Sequence, residues 1–174
     1  MNPLKALNFI GSALSHAQNV RSKIIGDANQ LAAAIVGASA FTVARLNQAL
    51  QEKNRKAKVD TLIGLTDTEI AAFVNMNNFC AKIYSSANAL SRWTTNESAN
   101  IKITGKKDAE QLTKNLIDAE MGMQKLFNDH MSKPAAFDKM TDAQLEAWTK
   151  DAIQKASNIT AAANKAVRKL SEVI

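Results

Sequence analysis

Leu65-Thr66-Asp67-Thr68-Glu69-Ile70 carries a complete helix-start signal. Thr66 supplies an N-cap hydroxyl, Asp67 an acid in the first turn, and Glu69 the N3 carboxylate of a capping box. Leu65 and Ile70 stand at the N′ and N4 positions of a hydrophobic staple. A helix is predicted from here to about Trp93, with Ala72, Met76, Phe79, Ile83, Leu90 and Trp93 on one side. Ile70, Phe73, Val74, Cys80 and Tyr84 widen that face, so burial over more than the usual stripe is expected.

The signal recurs at Met140-Thr141-Asp142-Ala143-Gln144-Leu145. Beyond it Leu145, Trp148, Ala152, Ile159, Ala163, Ala166, Leu170 and Val173 form a long helical stripe. The likeness of residues 66–73 to residues 141–148 fits an internal duplication or convergence on good capping chemistry. It fades after two turns, and one repeat pair is below what a repeat array needs, which favours convergence.

The remaining chain is helical in period as well. Pro3 suits a first helical turn, and Leu4, Leu7, Gly11, Leu14, Gln18, Arg21 and Ile25 share an indifferent face. Gly26 punctuates that helix, and Asp27 with Gln30 is expected to cap a second one from Ala28 to about Lys58. Thr94-Thr95-Asn96-Glu97-Ser98 has turn chemistry, and Asn100-Ile101-Lys102-Ile103-Thr104 suits a short extended piece before Gly105. A further helix runs from Lys107 to about Met131, ended by Lys133-Pro134. The expected fold is all-α, an antiparallel bundle or elongated array of four to five long helices.

With 174 residues, 46% apolar and 22% charged, and only two prolines and six glycines, disordered and β-sandwich chains are excluded. One structural domain fits that length. The net charge of +6 is unevenly placed. Residues 1–58 carry eight Lys/Arg against two acids, whereas residues 59–174 carry fourteen of each sign. The chain thus divides into a basic, apolar N-terminal region (1–58), expected to dock or face a membrane, and a charge-neutral helical body (59–174). Lys53, Arg55, Lys56 and Lys58 are the candidate contacts for an anionic surface, although cations at a helix C-terminus also suit its dipole.

Residues 28–44 hold no charge, and at about 25 Å they fall short of the ~30 Å hydrocarbon core. A buried core helix is the expectation, with a conditional membrane role as the rival. Helix-packing or membrane-facing positions are Leu31, Ile35, Gly37, Phe41 and Leu46, with Ala33-xxx-Gly37 and Ala40-xxx-Ala44 permitting close approach. Leu7 to Leu14 lacks the form of a signal peptide because Asn8 and Ser12 interrupt it, so a reducing compartment or a virion interior is expected.

Chemistry-bearing motifs are sparse. Gly105-Lys106-Lys107 lacks the upstream glycine and following hydroxyl of a phosphate loop. His16 and His130 lie on different helices, and a single cysteine excludes an internal disulfide and leaves almost nothing for a zinc site. Cys80, among Phe73, Val74, Phe79 and Tyr84, is expected to be a buried, inert thiol. Asp118/Glu120 and Asp108/Glu110 are spaced onto different helix faces. No catalytic, metal or cofactor residue is nominated, and no small-molecule substrate is expected.

The leading expectation is a non-enzymatic helical assembly protein, a homo-oligomer or a subunit of a larger assembly. Faces rich in alanine bury little area, which favours stabilisation by neighbours. In composition the chain resembles the short internal or ejection proteins of tailed phages, a likeness of style that no motif carries. The rivals are nonspecific nucleic-acid association through the basic cluster and a membrane-active effector acting through residues 4–46. No aromatic is interleaved with the basic cluster for base stacking.

Overall fold

The computed structural model describes residues 3–92, 105–132 and 134–174, without the side chains of 6–14, 130–132 and 134. Trp93, the turn expected at 94–98, the extended piece expected at 100–104, and Lys133 lie outside the described residues. Among the described residues six helices follow in order: α1 (Pro3–Gln51), α2 (Arg55–Ile63), α3 (Asp67–Arg92), α4 (Lys106–Ser132), α5 (Pro134–Asp138) and α6 (Asp142–Val173). The chain is an all-α bundle, as its periodicity implied.

Four long helices make the bundle, with α1 and α4 each packed against both α3 and α6. Arg45 near the end of α1 meets Glu69 at the start of α3, and Lys23, just before the midpoint of α1, meets Ser86 near the end of α3. The Ser39 hydroxyl donates to the Ala156 carbonyl at 3.1 Å, and the Phe73 and Phe127 rings stand 4.3 Å apart. The pairs α1–α3, α3–α4, α4–α6 and α1–α6 are antiparallel, an up-down-up-down arrangement with α2 and α5 capping one end. Along α1 the buried positions Ile24, Ala28, Leu31, Ile35, Ala38, Thr42, Arg45 and Ala49 step by threes and fours, a coiled-coil seam.

That seam explains the first departure from expectation. α1 does not break at Gly26. A glycine inside a helix costs about 1 kcal/mol relative to alanine, but Ile24, Ala28 and Leu31 on either side are fully buried. Tertiary packing overrides the local signal. Asp27 is no N-cap; its carboxylate accepts from the Lys23 ammonium at 2.9 Å and from the Ser86 hydroxyl. The break falls instead at 52–54, where the apolar seam runs out after Ala49 and Asn54 caps α2 by accepting from the Ala57 N–H at 2.8 Å.

The two look-alike helix starts share cap chemistry but not burial phase. At α6 the capping box is complete: the Thr141 hydroxyl accepts from the Gln144 N–H at 3.1 Å, and the Gln144 side chain accepts from the Thr141 N–H at 2.9 Å. At α3 Thr66 accepts from the Glu69 N–H at 3.1 Å, but the Glu69 carboxylate turns into the core. Leu145 is 2% exposed whereas its counterpart Ile70 is 40% exposed. The rotated phase fits convergent caps better than a duplication. It also corrects the breadth of α3: Phe73, Met76, Cys80, Ile83 and Leu90 are buried, while Val74 and Tyr84 join Ile70 at the surface.

Gly105, just before α4, stands at φ +71°, where a Cβ would come within 2.1 Å of the Val173 carbonyl oxygen. Only glycine fits there, and the contact joins the start of α4 to the end of α6.

Candidate interaction surface

Near the capped end of the bundle, α1, α2 and α3 are joined by a buried polar cluster. The Arg45 guanidinium donates to both Glu69 carboxylate oxygens, at 2.8 and 2.9 Å, and to the Leu62 carbonyl. The Thr42 hydroxyl donates to the same carboxylate at 3.0 Å. Both charged side chains are nearly sealed from water. Residue types alone did not show this pair, yet one signal existed: Arg45 falls on the threes-and-fours spacing of the α1 seam. A charge on a buried stripe requires a partner.

The basic cluster sits at the start of α2, with Lys53 in the preceding link. The expected favourable dipole at a helix C-terminus is thus reversed, since cations in a first turn are opposed by it. Carboxylates and carbonyls offset that. Arg55 donates to Asp142 at 2.9 Å, to the Phe137 and Asp138 carbonyls at 2.9 and 3.3 Å, and to the Met140 carbonyl. It therefore ties α2 to the turn between α5 and α6. Lys56 pairs with Asp60 at 2.7 Å, which raises the ammonium pKa. Lys58 adds to the field that holds the Glu146 carboxyl below its ordinary range, after the hydrogen bond and charge of Lys150. Lys53 is exposed, with no ion pair among the described residues.

Of the apolar positions nominated on α1, Leu31, Ile35 and Leu46 are fully buried inside the bundle. Phe41 is 44% exposed, and Gly37 is half-buried with open space where a Cβ would stand. The close approach expected at Ala33-xxx-Gly37 is not used within the bundle. Ala33, Ala40 and Ala44 are exposed, so the outward side of this uncharged stretch is small and apolar. Residues 15–51 are long and apolar enough to cross a membrane by length and composition.

α1 also outruns its partners. Ser86 lies six residues before α3 ends and faces Asp27; Ala156 lies seventeen before α6 ends and faces Ser39. Both partner helices thus end level with about residue 21 of α1. The first buried position of α1 is Ala17 among those whose side chains are described, and Ser15, His16 and Leu4 are exposed. Residues 3–16, the start of α1, span about 21 Å of helix.

On the opposite side, the seam between α3 and α4 is open. A cavity of 480 Å³ is lined by Tyr84, Asn88, Glu110, Lys114 and Ile117, among others. Ile70, Val74, Ala81 and Tyr84 share the spacing that leads along α3 into it, as do Ile117 and Met121 on α4. Tyr84 is 53% and Met121 57% exposed.

Cys80 is buried against α4, and burial first, then the Glu120 carboxylate, push its thiol up to about 12. Such a thiol stays protonated at neutral pH and is a poor nucleophile. One Glu120 oxygen has no hydrogen-bond partner. No three His, Cys, Asp or Glu side chains gather to hold a metal among the described residues.

Comparison with protein-family models, with curated proteins and with solved structures gives no match to this chain.

Proposed function

We propose that this protein is a non-enzymatic helical assembly protein, which works by packing against copies of itself or against other chains. The outward side of α1 carries the reading: Ala33, Ala40, Phe41 and Ala44 are exposed along residues 28–44, a stretch that holds no charge. Small side chains there let a neighbouring helix approach closely. A virion-internal role is the most specific form of the proposal and rests on composition alone.

The rival readings draw less from the geometry. Anion contact through Lys53, Arg55, Lys56 and Lys58 would compete with the acids and carbonyls that already face Arg55 and Lys56. Insertion of α1 into lipid would unpack Leu31, Ile35 and Leu46 and strand the Arg45–Glu69 pair.

Light scattering across about 10 to 500 µM, a range that spans weak association, tests the proposal together with a pulldown. Mass that rises with concentration, or a stoichiometric partner, is expected. A constant 18.8 kDa particle with no partner would overturn it.

A further inference from the structure

We infer that the cavity between α3 and α4 binds a small zwitterion, an α-amino acid with a large apolar side chain. None of its lining residues lies on α1, so this function goes beyond the assembly reading and stands independently of it. At 480 Å³ the cavity falls within the range of small-molecule sites, about 300–1,000 Å³.

The charges on its wall define the ligand. Lys23–Asp27, Lys56–Asp60, Glu146–Lys150 and Asp151–Lys155 are opposite charges four residues apart, and each closes at 2.6–2.9 Å. Glu110 and Lys114 have the same spacing on α4, yet neither makes an ion pair among the described residues. Lys106, one turn before Glu110, donates instead to the Ser91 carbonyl at 3.3 Å. A half-buried carboxylate and an exposed ammonium, about 6 Å apart along the helix, are thus left open in one cavity. An anion would meet Glu110 there and a cation would meet Lys114, whereas a zwitterion answers both.

The register of the two helices orders the rest of the wall. Phe73 stacks by Phe127 and the Cys80 thiol stands by Glu120, so α3 and α4 run antiparallel in fixed step. Asn88 is then about level with the midpoint between Glu110 and Lys114, and Tyr84 is about level with Ile117. The ligand ammonium goes to Glu110, and its carboxylate takes Lys114 and the Asn88 amide. Its side chain lies between the Tyr84 ring and Ile117, one turn beyond Lys114. The charged groups remain in contact with water, so binding is weak, about millimolar.

Amide NMR of the labelled full-length chain, titrated with L-phenylalanine and L-leucine, tests this. Saturable shifts confined to residues around 84–91 and 110–117 are expected at about 0.1–10 mM. Phenethylamine and 3-phenylpropionate each lack one of the two charges and are expected to bind at least about tenfold more weakly than L-phenylalanine. Glu110→Gln and Lys114→Gln should each weaken L-phenylalanine by a similar factor, with circular dichroism unchanged, while Glu110→Gln leaves 3-phenylpropionate unweakened. The single-charge analogues keep the test independent of how the variants fold. Absence of saturable shifts with both amino acids would overturn the proposal. So would variants that bind as well as wild type, or an analogue with one charge that binds as tightly as the amino acid.

Discussion

Replacing Glu69 by alanine should be among the most damaging single changes in this protein. The carboxylate accepts three hydrogen bonds, two from Arg45 and one from Thr42, in a site that leaves Glu69 1% and Arg45 7% exposed. Without it the guanidinium keeps only the Leu62 carbonyl. Breaking one side of a buried ion pair costs about 3–5 kcal/mol, because the other charge remains desolvated. At about 2–4 °C per kcal/mol for a chain of this length, the midpoint should fall by roughly 6–20 °C. Replacing both partners with apolar residues, Arg45→Met with Glu69→Leu, should recover most of that loss, since no charge is then left stranded. Urea unfolding of wild type, both single variants and the pair gives the coupling directly. A loss below about 1 kcal/mol for Glu69→Ala would mean that water reaches the pair, as at a surface bridge. A double variant no better than the two losses added would refute the coupling itself.

Arg55→Ala should destabilise by about 2 kcal/mol, the loss expected for hydrogen bonds to a charged group. Lys56→Ala should change stability by less than about 0.5 kcal/mol because its pair is exposed; equal effects would contradict the bracing role of Arg55. Thr141→Ala should lose about 1 kcal/mol of the complete α6 cap, read as a shift in the urea midpoint. Native Cys80 should resist a thiol reagent at pH 8 and react once the chain is unfolded. Its folded pKa lies above the ordinary 9.0, so the stabilisation it lends is present below pH 9 and is lost as pH rises toward about 12. A stability that stays flat across that window would rule out the Cys80 shift. Gly105→Ala should cost more than about 1 kcal/mol, since its φ of +71° and the Val173 carbonyl both oppose a side chain.

Helix starts were legible because capping is local. Thr66 and Thr141 announce α3 and α6 within four residues, and Pro134 marks where α4 has ended. What escaped was whatever depends on a distant neighbour. Gly26 reads as punctuation until Ile24 and Ala28 are known to be covered by other helices. Glu69 reads as half of a capping box until Arg45 stands beside it. Ile70 reads as a staple because local patterning cannot tell a staple from an outward stripe. The candidate surfaces divide the same way. Sequence spacing found Leu31, Ile35 and Leu46 but could not say that their own bundle covers them, or that acids encoded far downstream would stand against the basic cluster.

The Ser39 contact with Ala156 also has a consequence for biosynthesis, because the two residues are 117 positions apart. Ribosomes add about 5–20 residues per second. One side of α1 therefore waits roughly 6–25 s for α6 to be made, with the seam around Ile35 and Ala38 only half covered by α3. In that interval the nascent chain is a half-built bundle exposing a long apolar flank. Polysomes bring other such chains close by, so the same seam that completes the fold is open to intermolecular mispairing and to chaperones until synthesis ends.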